Sequence, residues 1–355
     1  MFRNVTYLIG NGFDIGLGLK TKYDQFWDWY KEQPPKNDII KRFKEELDDS
    51  RKHWSDLEEA LGQMTSKYSI EKSEDFFEGK DDLQKHLMEY LKEKQEELVY
   101  TDQDLSFFLL QMRWMRKTTT SLLRDQQWRK VRVSDKEIIN FRFINFNYTA
   151  TLNRILYRIQ HNPKLLTNGQ DEDGNTTSDQ IVQVVNVHGA INKTPIIGVN
   201  DVGQIADEKF AESEAVNRYL IKHELDEMSD RGFEESAIDI IDSSNIICIY
   251  GMSLGITDNQ WWDALVHWLL KSHDRYLVVF LHDNQYKGLD IEGNERIRNK
   301  IHESIKEKFL SKWHESEGYQ YLYKHIFCVV NQDIFDMKYI KGLEELFEEA
   351  QEEFA

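Results

Sequence analysis

Short apolar runs recur along the chain, and most of them end at glycine or a polar turn. Residues 5–9 (VTYLI) have the length and composition of a buried strand and stop at Gly10. Residues 138–149 (IINFRFINFNYT), 180–189 (QIVQVVNVHG), 245–251 (NIICIYG), 275–283 (RYLVVFLHD) and 325–330 (HIFCVV) repeat the pattern. The text between them has helical spacing: YDQFWDWY at 23–30, ATLNRILYRIQ at 150–160, a charged stretch over 204–236, and NQWWDALVHWLLKSH at 259–273. Residues 167–178, rich in Asn, Gly, Asp and Thr, read as an exposed loop tip.

Apolar strands alternating with helices predict an α/β fold, a mostly parallel sheet with helices on both faces. One stretch breaks the alternation. From about residue 31 to 136 the pattern is helical only, as in IIKRFKEELDDSRKHWSDLEEAL, DDLQKHLMEYLKEKQEEL and DLSFFLLQMRWMRKTTTSLL, and Pro34-Pro35 punctuates its start. The organisation predicted is a nucleotide-binding core of residues 1–30 and 137–335, a helical insertion over 31–136, and an acidic amphipathic helix over 336–355.

Composition narrows the function. The 355 residues carry a net charge of −18, against broad nucleic-acid binding, which needs clustered cations, and against docking on an anionic membrane. No apolar run is long enough to span a bilayer, and MFRNVTYLIG is too short in its apolar part for a signal peptide, so a cytoplasmic location is expected. Cys248 and Cys328 lie inside apolar runs and read as reduced core residues. The histidines show no metal-ligand spacing, so no metal is expected.

The candidate chemistry collects at strand ends: GNGFD (10–14), FNYT (146–149), VHG (187–189) and YGMSLGITD (250–258). In open α/β sheets ligands bind beyond the carboxyl ends of the strands, so the four motifs point to one site. Gly10 and Gly12 allow close backbone approach to a phosphate, although Gly10, Gly12, Gly16 and Gly18 do not match the dinucleotide fingerprint of dehydrogenases. An equal reading is a tight strand-to-helix turn. Asn147 has an amide suited to orienting a ribose hydroxyl or a water, or to capping the next helix. His188, between Val187 and Gly189, is placed to move a proton, or is a satisfied structural histidine. Ser253 suits a phosphate or ribose, and Asp258 suits a helix cap. A serine hydrolase is the competing reading: Gly251, Ser253 and Gly255 match a nucleophile elbow, with Asp283 and His325 following in triad order.

LIGNGFDIGLGLKTKYDQF, WSDLE (54–58), FNYT, the later HG and YGMSLGITD resemble the AbiH family of phage abortive-infection proteins over roughly residues 1–290. That resemblance implies a phage-defence role. More remotely the motifs resemble sirtuin-like NAD-consuming proteins, implying a sirtuin-like, Rossmann-like core and NAD as substrate or ligand. On this resemblance Asn147 and His188 are catalytic, and Gly10, Asn11, Gly12, Asp14, Gly251, Ser253 and Asp258 bind the nucleotide. Asn11 and Asp14 replace a small residue and a serine, Thr149 replaces an aspartate, and the zinc cysteines of deacylases are missing, so acyl-lysine chemistry is not implied. Two functions follow: an NAD-hydrolysing toxin triggered by phage, or a nucleotide-binding sensor without catalysis. The helical insertion, including Trp54 and Glu58, is expected to form a lid or a face for self-assembly or a partner.

Overall fold

The structure is a computed structural model that describes residues 2–49, 57–113, 138–170, 174, 176–189, 195–228, 232–254, 259–282, 295–316, 318–330 and 335. Six parallel strands form its centre: β1 (Phe2–Ile9), β2 (Ile138–Asn145), β5 (Gln180–Asn186), β6 (Ile246–Tyr250), β7 (Tyr276–Leu281) and β8 (Ile326–Val330). They lie in the order β5-β2-β1-β6-β7-β8, so the chain winds outward from β1 in both directions. This is the doubly wound arrangement of nucleotide-binding sheets, as the alternation of elements predicts.

The period-two alternation of each strand divides the core. Val5, Tyr7, Phe141, Phe143, Cys248, Val278 and Val329 face one side, and Leu8, Ile144, Ile247, Ile249, Val279 and Cys328 the other. The helix Asp102–Arg113, through Leu105, Phe108, Leu109 and Met112, covers the first face with Thr151–Gln160. Helices Phe233–Asp242, Asn259–Leu270, Glu295–Leu310 and Tyr319–His325 cover the second. The continuous apolar runs of β6 and β7 follow from burial on both faces.

A third cluster lies apart from the sheet faces. Helices α1 (Gly12–Gly16), α2 (Tyr23–Tyr30), α3 (Asp38–Asp49), α4 (Leu57–Met64) and α5 (Ser73–Gln95) follow β1. Phe26, Trp27, Tyr30, Phe43, Leu61, Phe76, Leu83 and Leu87 of α2–α5 pack with Ile197, Val199, Phe210, Val216 and Leu220, from the segment after β5. Two distant stretches therefore build one helical cap. Tyr148, from the FNYT motif, joins the same cluster and ties the cap to the sheet.

Three local expectations change. Residues 167–178 are not a plain loop: Thr167–Gln170 (β3) and Thr176–Ser178 (β4) pair antiparallel, the threonines favouring extended backbone and Gly174 turning at φ 82°. The strand expected to reach residue 149 stops at Asn145, whose Oδ1 accepts the Asn147 N–H at 3.2 Å and turns the chain off the sheet. Residues 204–236 are broken into short helices, because Asp207 and Ser213 each cap a new one. The acidic tail over 336–355, Trp54, Asp258 and Asp283 lie outside the described residues. Among the described residues no helix is long and apolar enough to cross a membrane.

Candidate functional site

The strands carrying the four motifs end at one level. Ile9 pairs with Asn145 and with Tyr250, and Asn145 pairs with Asn186. The ladder continues by one bond at each junction. Phe146 N–H donates to the Ile9 carbonyl (2.9 Å), Val187 N–H to Asn145 (3.1 Å) and Gly10 N–H to Tyr250 (2.9 Å). VHG, FNYT, GNGFD and YGMS thus leave the carboxyl edge side by side. The strand order reverses between β1 and β6, where open sheets form a ligand crevice.

At that reversal the two turns are packed backbone to backbone. A Cβ on Gly12 would lie 2.5 Å from the Gly251 Cα, and one on Gly10 would lie 2.6 Å from the Gly251 carbonyl oxygen. Gly251 has φ 70°, and a Cβ there would lie 2.6 Å from the Phe13 nitrogen. Gly12 N–H donates to the Gly251 carbonyl at 2.8 Å. The three glycines are therefore required by the contact between β1 and β6 turns, and the Gly10 and Gly12 N–H groups are both spent on it. Asn11 is similarly engaged: its Nδ2 donates to the Thr21 carbonyl (2.9 Å), and the Thr21 hydroxyl donates to its Oδ1 (2.6 Å). Ser253 is exposed on the loop beyond.

Asp14 links this edge to the next strand. It is fully buried, and the Thr149 hydroxyl donates to its Oδ2 at 2.6 Å, while Oδ1 has no hydrogen-bond partner among the described residues. Burial pushes the carboxyl up to about 7, and the hydroxyls of Thr149 and Thr151 pull it partly back. Thr151 also lines a cavity of about 300 Å³ with Gln95, Arg154 and Arg158. Both arginines there are already paired, with Glu96 and Asp102.

Asn147 and His188 come together. The His188 ring packs against Phe146 and Tyr148, the two neighbours of Asn147, with centroids 5.5 and 5.7 Å away. Asn147 is 4 % exposed, and among the described residues neither its Oδ1 nor its Nδ2 has a hydrogen-bond partner. Such a group is rare, because leaving a buried polar atom unpaired costs about 1–3 kcal/mol. His188 is buried, its ring packed between those of Phe146 and Tyr148. Burial, followed by the Lys222 charge, holds its imidazole well below the usual histidine range, and a hydrogen bond to the Phe146 backbone opposes them. The ring is therefore uncharged near neutral pH.

Behind His188 lies a buried polar network that the motifs did not announce. The Tyr148 hydroxyl donates to Glu58 Oε1 at 2.8 Å, and Lys222 Nζ lies 2.6 Å from Glu58 Oε2. Glu58 is thus an interior joint between cap and sheet and not part of an outer assembly face. The signal was present in the sequence as charged residues at core positions of helices, but without the fold it reads as solvated surface.

The serine-hydrolase arrangement is excluded. The His325 ring stacks on Tyr276, the first residue of β7, which pairs with Ile246 at the start of β6. Ser253 follows the last residue of β6, Tyr250. In a parallel sheet they lie at opposite edges, roughly 15 Å of strand apart. His325 instead donates its Nδ1–H to the Tyr321 carbonyl at 2.7 Å.

A family model described as Bacteriophage abortive infection AbiH matches residues 6–280, a span that holds all four motifs and the helical cap. No curated protein matches the chain.

Proposed function

The chain belongs to the bacteriophage abortive infection AbiH family, with a role in phage abortive infection, and from that premise we propose that it acts by hydrolysing NAD at the carboxyl edge of the sheet. The observation that carries this reading is the Asn147 amide, buried with both polar atoms unpartnered beside the uncharged ring of His188. A carboxamide with a free donor and a free acceptor suits a ribose hydroxyl or a water. The sirtuin-like reading of the motifs supplies the substrate.

In the reaction, water adds to C1′ of the nicotinamide ribose as the C1′–N bond breaks, giving nicotinamide, ADP-ribose and a proton. Positive charge develops on the sugar, so the site has to hold the ribose and place one water. Asn147 orients that water or a ribose hydroxyl. His188, being neutral, accepts a proton from the hydroxyl it contacts. Asp14, held by Thr149, faces a second ribose. Gly10, Asn11, Gly12, Gly251 and Ser253 shape the crevice at the reversal of strand order, where the pyrophosphate of a dinucleotide would cross, and Asp258 follows in the same motif. The cap excludes bulk water from His188.

The test is release of nicotinamide from NAD by the purified full chain, with and without phage lysate, compared with His188→Ala and Asn147→Ala. Product from the parent and none from the variants, with folding retained, is expected. Binding of NAD without turnover would leave a nucleotide-binding sensor. Turnover and cell toxicity unchanged in His188→Ala would end the catalytic assignment.

A further inference from the structure

Asn147 sits between two neighbours that are held from different sides. Phe146 is fixed to the sheet: its N–H donates to the Ile9 carbonyl at 2.9 Å, and its ring meets Trp261 edge-on with centroids 5.4 Å apart. Tyr148 is fixed to the cap: its hydroxyl donates to Glu58 Oε1 at 2.8 Å, and Lys222 Nζ lies 2.6 Å from Glu58 Oε2. The rings of both neighbours pack on the His188 ring. The placement of Tyr148 therefore acts on the Asn147 backbone and on the His188 imidazole together.

Glu58 is itself firmly placed. It is buried in the first turn of α4. One turn on, on the same face, a Cβ on Gly62 would lie 2.3 Å from the Gln204 carbonyl oxygen, and Ala206 N–H donates to the Gly62 carbonyl at 3.1 Å. Sliding α4 would break that contact with the segment after β5. Lys222 opens the helix Lys222–Met228, and its N–H donates to the Val199 carbonyl at 2.9 Å. The Tyr148 hydroxyl also lies 3.1 Å from the Ile196 carbonyl, and Ile196 N–H donates to the His188 carbonyl at 2.9 Å. A phenol has one proton to give, and the nearer carboxylate is the stronger acceptor.

Stability alone does not account for the trio. A buried ion pair often contributes no more than well-packed apolar side chains of similar volume. The surrounding cluster is apolar, with Leu57, Leu61, Ile197, Val199 and Leu220. What a carboxylate does there, and an apolar side chain does not, is hold the Tyr148 hydroxyl at one point.

We infer that Glu58 is a positioning residue: from the cap, through the Tyr148 hydroxyl, it sets the Tyr148 ring against His188 and so fixes the placement of Asn147. The cap thereby supplies part of the site, and the site is complete only with α4 docked. The reaction served rests on the reading of the preceding subsection; the positioning rests on the distances between these residues.

Two double variants of the full chain isolate the acceptor. Glu58→Gln with Lys222→Met removes both charges and keeps an oxygen for the Tyr148 hydroxyl. Glu58→Leu with Lys222→Met removes both charges and the oxygen. In neither is one member of the pair left buried without the other. Tyr148→Phe keeps the ring and removes the hydroxyl. Each protein is prepared with isotope-labelled histidine, and the His188 Cε1–H signal is assigned by NMR from its loss in His188→Ala. The signal should be displaced in the second double variant relative to the first, and in Tyr148→Phe relative to the parent, as the ring current of a released Tyr148 changes. In the same two comparisons, kcat for NAD should fall at least about tenfold with KM within about twofold. Coincident His188 signals in both comparisons overturn the positioning role. Displaced signals in a protein that leaves NAD intact keep the positioning and retire NAD hydrolysis. Turnover by the parent with coincident signals does the reverse.

Discussion

The carboxyl edge of the sheet has two halves built on opposite principles. Where β1 meets β6, the glycine turns satisfy each other: N–H groups find carbonyls, the missing Cβ atoms are replaced by facing backbone, and Asn11 is closed off by Thr21. Where β2 meets β5, polar atoms are buried and left over: both ends of the Asn147 amide, one oxygen of Asp14 nearby, and an uncharged His188 under the cap. A satisfied region explains itself through folding. An unsatisfied buried region has a cost that folding does not recover, and the proposed function assigns that cost to ligand binding. The glycine-rich turn, the most conspicuous motif in the sequence, is therefore first of all a joint of the fold.

Substitutions can break this contrast. The largest effect expected is on the unsatisfied side: His188→Ala should lower NAD turnover by about 100- to 10,000-fold while the thermal transition stays in place. Retained turnover would move the chemistry elsewhere. Next comes Asp14. Its folded-state value, about 7, is raised above the unfolded 3.8, so the stability tied to its neutral form is complete below pH 3.8 and is lost as pH rises to 7. Asp14→Asn, which keeps an acceptor for Thr149, should match the parent at low pH and exceed it by up to on the order of 4 kcal/mol near pH 8. Denaturant titrations at the two pH values measure the gap, and a constant gap would show that Asp14 is not neutral when buried.

On the satisfied side, Gly12→Ala should cost about 3 kcal/mol, because its Cβ would fall 2.5 Å from Gly251 Cα and neither backbone can retreat without breaking the ladder. A neutral result in chemical denaturation would mean that the turns part easily and can open to a ligand. Smallest is the stability change in Asn147→Ala, within about 1 kcal/mol, since the amide makes no bond to lose. A larger loss would place Asn147 with the structural half.

The fold was legible because it depends on local pattern. The alternation of apolar runs and helices gave away the six strands of the central sheet, and the helix over Tyr23–Tyr30 coincides with its sequence reading. Errors fell where side chains act on nearby backbone: the Asn145 turn that ends β2, the capped short helices after residue 207, and the threonine hairpin of β3 and β4. At the site, the nearness of Asn147 and His188 was anticipated from their places at strand ends. The Glu58–Tyr148–Lys222 joint was not, because its members lie far apart in sequence and each has an ordinary surface reading.

Periodicity and turn chemistry by themselves settled the alternating α/β plan and the motifs at its strand ends, since both are written within a few residues of chain. Only the tertiary structure decided which glycines serve the backbone, that His325 belongs to the far edge, and that the Asn147 amide is buried beside the His188 ring. Those are matters of desolvation and of distance across the fold, set by what packs over a residue and not by its neighbours in sequence.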